Sequence, residues 1–318
     1  MYKFSPMQGL TGYGGGAAGL GVVSGAAKAG WAGGDRGFWF GGQTDDMEYY
    51  AITGSGVSST NFGDFGPSAY TNYPASQSNT DIVCVAGGRH ASYQNMIEYF
   101  SSASAPSSTT DFGDLSVGTG YFGAAGTTFR GLFMGGYTGS ATKTQIDYID
   151  NSTTGDAGDF GDLLSSGVSA NNAASNGTKA VCFAGAPANG SSNQMQYVDP
   201  ATTGNAVDWD NMNVSRSQTA GGCSETRLVI GGGYNNLDDI DYKDIDSSGN
   251  ASDFGNLSDA RGYLAAGSNG TRLCFAGGAD GITNTIDKVE IDTTADATDH
   301  GDLTINRAYG AGCSGAAS

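Results

Sequence analysis

The chain has 318 residues, of which 54 are Gly, and only 14% are charged. Its net charge of −18 repels phosphate backbones and anionic lipid, which argues against binding to nucleic acid or to a membrane surface. No run of 18 apolar residues is present to insert into a membrane, and the first ten residues lack the basic and apolar regions of a signal peptide.

The chain begins with a Gly/Ala-rich segment, residues 1–30, in which Tyr, Phe, Leu and Val are scattered. This segment has too little apolar surface to fold alone, so we interpret it as an N-terminal arm that becomes ordered on a partner protein. The remaining residues, 31–318, form a second region that is built from repeats.

An apolar run that ends in glycine recurs at intervals of 46 to 50 residues. The runs are GFWFGG, VCVAGG, GLFMGG, VCFAGA, LVIGGG and LCFAGG. The glycines that directly follow their apolar residues are Gly41, Gly87, Gly135, Gly185, Gly231 and Gly277. Six units of about 47 residues match the period of propeller repeats.

Each unit continues with an alternating strand such as QIDYID, for which we predict that Ile146 and Tyr148 point inward and Asp147 outward. A turn such as NSTTGDAGD follows, and then an outer segment such as DFGDL. The next unit opens with a strand of small residues, as in YLAAG, and near the axis of a propeller only small residues leave room.

The sequence therefore predicts an all-β fold, a six-bladed β-propeller with four-stranded antiparallel blades. The last segment, AYGAGCSGAAS, matches the innermost strand but has no strand after it. We expect it to pair with GFWFGG and so complete the first blade. In the alternative arrangement, GVVSGAAKAG from the arm supplies that strand.

Aromatic residues occur in pairs along five of the units. Each third strand carries a tyrosine, and an aromatic residue follows 12 or 13 positions later. The pairs are Tyr49 and Phe62, Tyr99 and Phe112, Tyr148 and Phe160, Tyr197 and Trp209, and Tyr242 and Phe254. In the sixth unit both positions change together, to Lys288 and His300, so we predict that the two positions are in contact.

The glycine pair after an apolar strand, the tyrosine on the next strand and the later aromatic residue resemble the repeats of kelch-like propellers over residues 31–318. The variant xIDYIDxxTTGxAxDFGDL, with its SNGTR hairpins, is similar to kelch-like proteins encoded by marine tailed bacteriophages. This resemblance implies a virion component, such as a tail, fibre or capsid-associated module.

Residues suited to acid–base or metal chemistry are few. The two histidines are His90, in a loop, and His300, which we interpret as a packing substitute for an aromatic residue. The acids follow the repeat, which is typical of turn residues whose side chains accept backbone N–H bonds. These acids are Asp64, Asp111, Asp114, Asp159, Asp162, Asp253 and Asp302. We therefore predict no enzymatic activity and no cofactor.

Calcium binding is the alternative that the acids leave open. Asp244 and Asp246 begin a loop that resembles an EF-hand, and Asp253 is a further candidate ligand. Gly255 occupies the twelfth position, where an EF-hand carries its bidentate Glu. We therefore favour a polar hairpin loop without a metal.

The five cysteines have no CxxC spacing. Cys84, Cys182 and Cys274 occupy the same place in three repeats, which puts them in different blades and prevents them from cross-linking. They are expected to be buried as small apolar residues, in a protein assembled in a reducing compartment.

Two functions follow from these observations. The first is a non-enzymatic structural component of a phage virion, assembled in the host cytoplasm, that contacts other virion proteins through residues 1–30 and the rim loops in a symmetric particle. The alternative is an adhesin, calcium-dependent in one version, that binds a host-surface glycan or receptor. The loops 89–96 and 235–246 differ most between units and are the candidate contact sites.

Overall fold

A computed structural model describes residues 35–42, 44–65, 72–102, 108–164, 168–186, 190–235, 237–279 and 281–315. The predicted N-terminal arm lies outside these residues. The strands are, in chain order, β1 (Arg36–Gly41), β2 (Asp46–Ala51), β3 (Val57–Ser58), β4 (Thr60–Asp64), β5 (Ala75–Ser78), β6 (Ile82–Ala86), β7 (Met96–Ser101), β8 (Thr110–Asp114), β9 (Gly123–Gly126), β10 (Arg130–Met134), β11 (Gln145–Asp150), β12 (Gly158–Asp162), β13 (Ser169–Ser175), β14 (Ala180–Ala186), β15 (Ser192–Val198), β16 (Val207–Arg216), β17 (Ala220–Cys223), β18 (Arg227–Gly231), β19 (Asp239–Asp244), β20 (Ser252–Asn256), β21 (Ala265–Ser268), β22 (Arg272–Ala276), β23 (Thr283–Glu290), β24 (Thr298–Arg307) and β25 (Gly310–Gly315).

These strands form a six-bladed β-propeller, as the sequence predicted. Blade 1 has the strand order β25-β1-β2-β4, blade 2 the order β5-β6-β7-β8, and blade 3 the order β9-β10-β11-β12. Blade 4 comprises β13 to β16, blade 5 comprises β17 to β20, and blade 6 comprises β21 to β24. Each blade is a four-stranded antiparallel sheet, and β3 adds a short parallel strand beside β24.

The innermost strands surround the axis. Successive strands among β5, β9, β13, β17, β21 and β25 contact one another in a closed ring. A Cβ atom added to Gly123 would lie 2.7 Å from the backbone carbonyl carbon of Asn172, and one added to Gly312 would lie 2.7 Å from the Cβ of Ala265. Larger side chains are therefore excluded at these positions, which confirms the reason for the small-residue strands.

The C-terminal strand closes the ring. β25 pairs with β1 from Arg36–Gly315 to Gly41–Gly310, and β2 occupies the other edge of β1. The alternative, in which the N-terminal arm supplies this strand, is therefore wrong. The parallel pairing of β3 with β24 joins blade 1 to blade 6 a second time and was not predicted.

The hydrophobic core lies between the blades. Each of the six buried clusters draws its residues from two adjacent blades; one of them packs Phe38 and Phe40 of blade 1 against Val83 and Val85 of blade 2. Both faces of a blade are therefore covered by neighbours. This geometry makes the predicted outward position of Asp147 wrong, because the residue is fully buried.

Two of the six predicted glycines occupy a different place in the repeat. In four blades the first glycine of the pair has a positive φ, between 59° and 68°. In blade 5 this conformation belongs instead to Gly232, which follows Gly231 at the end of β18 and has a φ of 68°. In blade 4 it belongs to Ala184, with a φ of 59°, and Gly185 comes second. The equivalent positions follow from the strand register and cannot be assigned from the glycine pattern of the sequence alone.

Candidate functional site

The predicted aromatic pairs are in contact in all five blades. The ring centroids lie 5.6 Å apart for Tyr49 and Phe62 and 5.9 Å apart for Tyr148 and Phe160, with edge-on geometry in each pair. The other three pairs, Tyr99–Phe112, Tyr197–Trp209 and Tyr242–Phe254, have the same arrangement. Each pair joins the third and fourth strands of one blade, so these residues stabilise the repeat.

In the sixth blade the two positions contact blade 1 instead. His300 is fully buried, and its Nε2 atom lies 2.7 Å from the carbonyl oxygen of Ala51. Lys288 donates from Nζ to the carbonyl oxygen of Gly54 at 3.1 Å. Burial lowers the pKa of His300 from its ordinary value, and the hydrogen bond to Ala51 opposes this shift in part.

Buried acids on the third strands link adjacent blades. Asp147 Oδ2 accepts a hydrogen bond at 2.9 Å from the hydroxyl of Ser116 in the preceding blade. Ser258 donates in the same way to Asp287, at 2.8 Å, and Leu164 donates its backbone N–H to Gln196, at 2.7 Å. The repeated polar residue of the third strand is thus used in blade-to-blade contact.

In three blades the acid of the third strand pairs with a basic side chain that comes from the preceding blade or from the connection that leads out of it. Arg216 lies 3.0 Å from Asp241, Arg261 lies 2.9 Å from Asp287, and Arg307 lies 3.3 Å from Glu48, and all six side chains are buried. Burial raises the pKa of the Asp241 carboxyl, while Arg216 and the backbone N–H of Asn213 lower it. These ion pairs lie in the blade interfaces.

The repeated turns between the third and fourth strands form a second link. Gly204 donates its backbone N–H to the carbonyl oxygen of Phe160 in the preceding blade at 2.8 Å, and Ala206 donates to Asp162 at 2.8 Å. The side chain of Asn205 accepts from the backbone N–H of Asp162 at 3.0 Å. Asp159, predicted to be a turn residue, lies in β12 instead, but its side chain accepts the N–H of Gly161 at 3.1 Å, as predicted.

The candidate calcium ligands belong to this turn region in blade 5. Asp244 lies 2.7 Å from Arg227, and Asp246 is exposed, with its carboxylate 3.7 Å from Lys179. Within the described ranges, no group of three His, Cys, Asp or Glu side chains is placed to hold a metal ion. The structure therefore does not bring Asp244, Asp246 and Asp253 together into a site.

The cysteines are buried or half-buried and have free thiols. Burial raises the pKa of the Cys182, Cys274 and Cys313 thiols to about 12, and it also raises the pKa of Cys84 and Cys223. Cys182 pairs with Ala173, one position further along the repeat than Cys84 and Cys274. Thiols with such pKa values remain protonated at neutral pH and are poor nucleophiles.

A cluster of tyrosines lies at one mouth of the axial channel, and we call it the tyrosine mouth: Tyr73, Tyr121, Tyr263 and Tyr309. Each of these tyrosines lies one or two residues before the start of its inner strand and has a positive φ, between 57° and 67°. The rings of Tyr73 and Tyr121 stack with their centroids 3.7 Å apart, and those of Tyr263 and Tyr309 meet edge-on at 4.5 Å.

Backbone hydrogen bonds between blades fix this left-handed conformation. Tyr73 donates its N–H to the carbonyl oxygen of Tyr309 at 2.7 Å, and Tyr121 donates to Tyr73 at 3.1 Å. Tyr263 donates to Gln218 at 2.8 Å, and Gln218 itself has a φ of 57°. The backbone conformation at this position is therefore the same in five blades. The side chain is tyrosine in four of them and glutamine in the fifth.

The side chains at the mouth break the six-fold repeat. Blades 6, 1, 2 and 3 supply the four tyrosines, whereas blade 5 carries Gln218 at the corresponding position. On the side of blades 4 and 5 the recess is lined by Asn171, Asn172 and Thr219. The recess contains about 560 Å³ of empty space, part of it open to solvent.

Sequence reasoning missed this site, although a signal was present. Tyrosine stands next to the small-residue strands in YPASQS, YFGAAG, YLAAGS and YGAGCS. The predicted rim loop 89–96 lies beside the mouth, because Arg89 and Asn72 exchange backbone hydrogen bonds. In the predicted loop 235–246, residues Asp239–Asp244 form β19.

In the part of the chain that the structure describes, no helix is long and apolar enough to cross a lipid bilayer. No known protein-family model matches the sequence, and no curated protein matches it with significant similarity.

Proposed function

We propose that this chain is a non-enzymatic structural component of a phage virion, in which the propeller is a rigid binding part. A propeller is a fold suited to binding and to protein–protein interaction. The observation that carries the proposal is the use of the repeated polar side chains: Asp147, Asp241 and Asp287 are buried in contacts between blades.

Acid–base catalysis requires carboxylates that face a cleft and can reach a substrate. Here the buried carboxylates instead accept hydrogen bonds from the preceding blade, as Asp287 does from Ser258. Their role is to hold the ring together. This supports a structural role for the propeller, in which it provides a stable, rigid surface for binding.

The virion setting rests on the resemblance of the repeats to kelch-like proteins of tailed bacteriophages, and on the composition of residues 1–30. The arm is proposed to bind a neighbouring virion protein, and the net charge of −18 favours solubility before assembly in the host cytoplasm. Symmetric particles repeat such contacts many times, so a weak contact per chain is sufficient.

The test is cryo-electron microscopy of particles purified from the natural source, combined with mass spectrometry of their proteins. The proposal expects the propeller at symmetry-related positions, with residues 1–30 ordered against another chain. A tagged chain lacking residues 1–30 should be absent from the particles, whereas the full-length chain with the same tag should be incorporated. Purified particles that lack the protein would overturn the proposal.

The second candidate function is an adhesin that binds a host-surface glycan or receptor. The tyrosine mouth favours it, because aromatic and polar side chains meet in a recess that does not follow the repeat. Capture of a ligand by the chain lacking residues 1–30 would separate this role from assembly through the arm.

A further inference from the structure

We propose that the tyrosine mouth binds a neutral sugar unit of a glycan, with one face of the sugar on the tyrosines and its hydroxyls on the polar residues of blades 4 and 5. This inference goes beyond the virion role and stands independently of residues 1–30. It names a site and a ligand class for the recess at the axis.

The recess has two chemically different walls. Four consecutive blades, from blade 6 to blade 3, contribute tyrosines, and the next positions on those blades are Leu264, Gly310, Pro74 and Phe122. Blades 4 and 5 contribute Asn171, Asn172, Gln218 and Thr219. An aromatic wall thus faces an amide and hydroxyl wall across one recess.

The polar wall has buried acceptors without a partner. Asn171 is 6% exposed and donates its Nδ2 group to the carbonyl oxygen of Met134, but its Oδ1 atom has no hydrogen bond. Thr219 is 3% exposed, and its hydroxyl oxygen also has none, nor has Oε1 of Gln218. A buried polar atom left unpaired is unfavourable, so a ligand that displaces the side chains covering these atoms and donates to them gains affinity.

The lining of the recess is uncharged. Among the described residues that line the recess there is no Asp, Glu, Lys, Arg or His. A charged ligand would find no opposite charge in the site, and the net charge of −18 repels anions in particular. Burial raises the pKa of Tyr121 and Tyr263 above the ordinary value, so these tyrosines are neutral at physiological pH. The site is therefore suited to a neutral ligand.

Sugars match both walls. One face of a pyranose ring presents C–H groups that pack on an aromatic ring, and its edge carries several hydroxyl donors. An apolar ligand would leave the oxygens of Asn171 and Thr219 unpaired. A quaternary ammonium ion also lacks donors for them, and Tyr73 and Tyr121, whose centroids are 3.7 Å apart, leave no space for it between their rings.

The site is also held in place before any ligand binds. The tyrosine backbones are fixed by hydrogen bonds between blades and by the closed ring of inner strands. A preorganised site loses little conformational freedom on binding, which offsets the weakness of single sugar contacts. Several copies in one particle would raise the avidity further.

The experiment uses the full chain on an array of neutral, sialylated and sulfated glycans, followed by titration calorimetry with the neutral glycan that binds best. Thr219→Val keeps the shape of the residue and removes its hydroxyl. We expect about three- to tenfold weaker binding, with a thermal midpoint equal to or above that of the unmodified chain, because a buried unpaired hydroxyl is lost. A purely structural role of Thr219 would not give this combination.

Two further variants locate the site. Tyr73→Ala should weaken binding at least tenfold, because it removes part of the aromatic wall. Phe129→Ala is the matched control: Phe129 is 62% exposed, lies in the β9–β10 hairpin, outside the residues that line the recess, and should not change the affinity.

The proposal is overturned if no neutral glycan binds, if choline or a sulfated glycan binds at the mouth instead, or if Thr219→Val and Tyr73→Ala bind a neutral glycan as well as the unmodified chain does. Each of these results leaves the virion role untouched, because incorporation into particles is measured separately. Loss of incorporation on removal of residues 1–30, with glycan binding intact, would show the two roles to be separate.

Discussion

At the scale of single residues, one polar side chain per third strand has to be satisfied inside an apolar interface. Asp241 shows how this is achieved: Arg216 lies 3.0 Å away, and the backbone N–H of Asn213 donates at 3.1 Å. Both groups come from blade 4 and Asp241 from blade 5. The carboxylate therefore fixes the relative position of two blades.

Asp241→Ala is expected to destabilise the protein by about 3–5 kcal/mol, because it leaves the Arg216 charge buried without its partner. The matched control is Asp244→Ala on the same strand, whose carboxylate is 51% exposed and pairs with Arg227. An exposed pair contributes about 0–1 kcal/mol. Chemical unfolding measures both values, and equal losses would contradict the role of Asp241 between blades.

His300 gives the protein a pH-dependent stability. Its pKa is lowered by burial, so the imidazole stays neutral in the folded chain below the pH at which the unfolded chain becomes protonated. As the pH falls below the ordinary value near 6.5, the unfolded state binds more protons and the free energy of unfolding decreases. The contribution of His300 to stability is fully present above that pH and is lost once the pH has fallen to the lowered pKa of the folded state.

The test compares His300→Phe with the unmodified chain at pH 7.5 and at pH 5.5, since the effect of the net charge cancels in the difference. Phe is the residue that four other blades carry at this place. The variant should gain stability relative to the unmodified chain as the pH falls, with a slope of at most about 1.4 kcal/mol per pH unit. A difference that does not change with pH would rule out this role for His300.

At the scale of elements, the outer strand of one blade makes a recurring backbone contact with the turn of the following blade. The outer strand carries a bulge, since Ile146 pairs with Gly161 while Asp147 pairs with Asp159. The bulge leaves Gly161 with a φ of 144°, against the carbonyl group of Gly204 from the following blade. The same contact joins Gly113 to Gly155 and Gly255 to Ala295. The DFGD motif is therefore a site of contact between blades.

Gly161→Ala is expected to destabilise the protein by about 2–4 kcal/mol, because the new Cβ overlaps the carbonyl group of Gly204 and the backbone conformation is unfavourable for alanine. Gly204→Ala is the control on the other side of the contact, since an added Cβ has no atom within 4 Å there. Its effect should stay within about 0.5 kcal/mol. Thermal unfolding of the two variants measures the difference. Similar midpoints would contradict the role of this contact in holding adjacent blades together.

The elements also show how far the sequence could be interpreted. The contact of Tyr148 with Phe160 was predictable, because both positions change together in the sixth unit. The burial of Asp147 was not, since an alternating pattern suggests one wet face and a propeller covers both. The tyrosine mouth was missed because the left-handed backbone of Tyr73 leaves no mark in a periodic pattern.

At the scale of the whole molecule, stability depends on a closed ring. Each hydrophobic cluster lies between two blades, so opening the ring at one place exposes two cluster surfaces at once. The contact between blades 6 and 1 is strengthened by Arg307 with Glu48 and by the pairing of β3 with β24. These links join parts of the chain that are far apart in sequence, and they therefore form late in synthesis.

Removing residues 310–318 takes away β25 and leaves one edge of β1 unpaired, next to the buried Phe38, Trp39 and Phe40. We expect a loss of at least about 5 kcal/mol, which corresponds to a fall of about 10–20 °C in the thermal midpoint, together with aggregation through the open edge. Removing residues 316–318 alone is the control and should leave the midpoint unchanged. A synthetic peptide of residues 308–318 should restore the midpoint when added, because it can pair with β1 from outside the chain. If the shortened chain unfolds at the same temperature as the full chain, the C-terminal strand does not hold the ring closed.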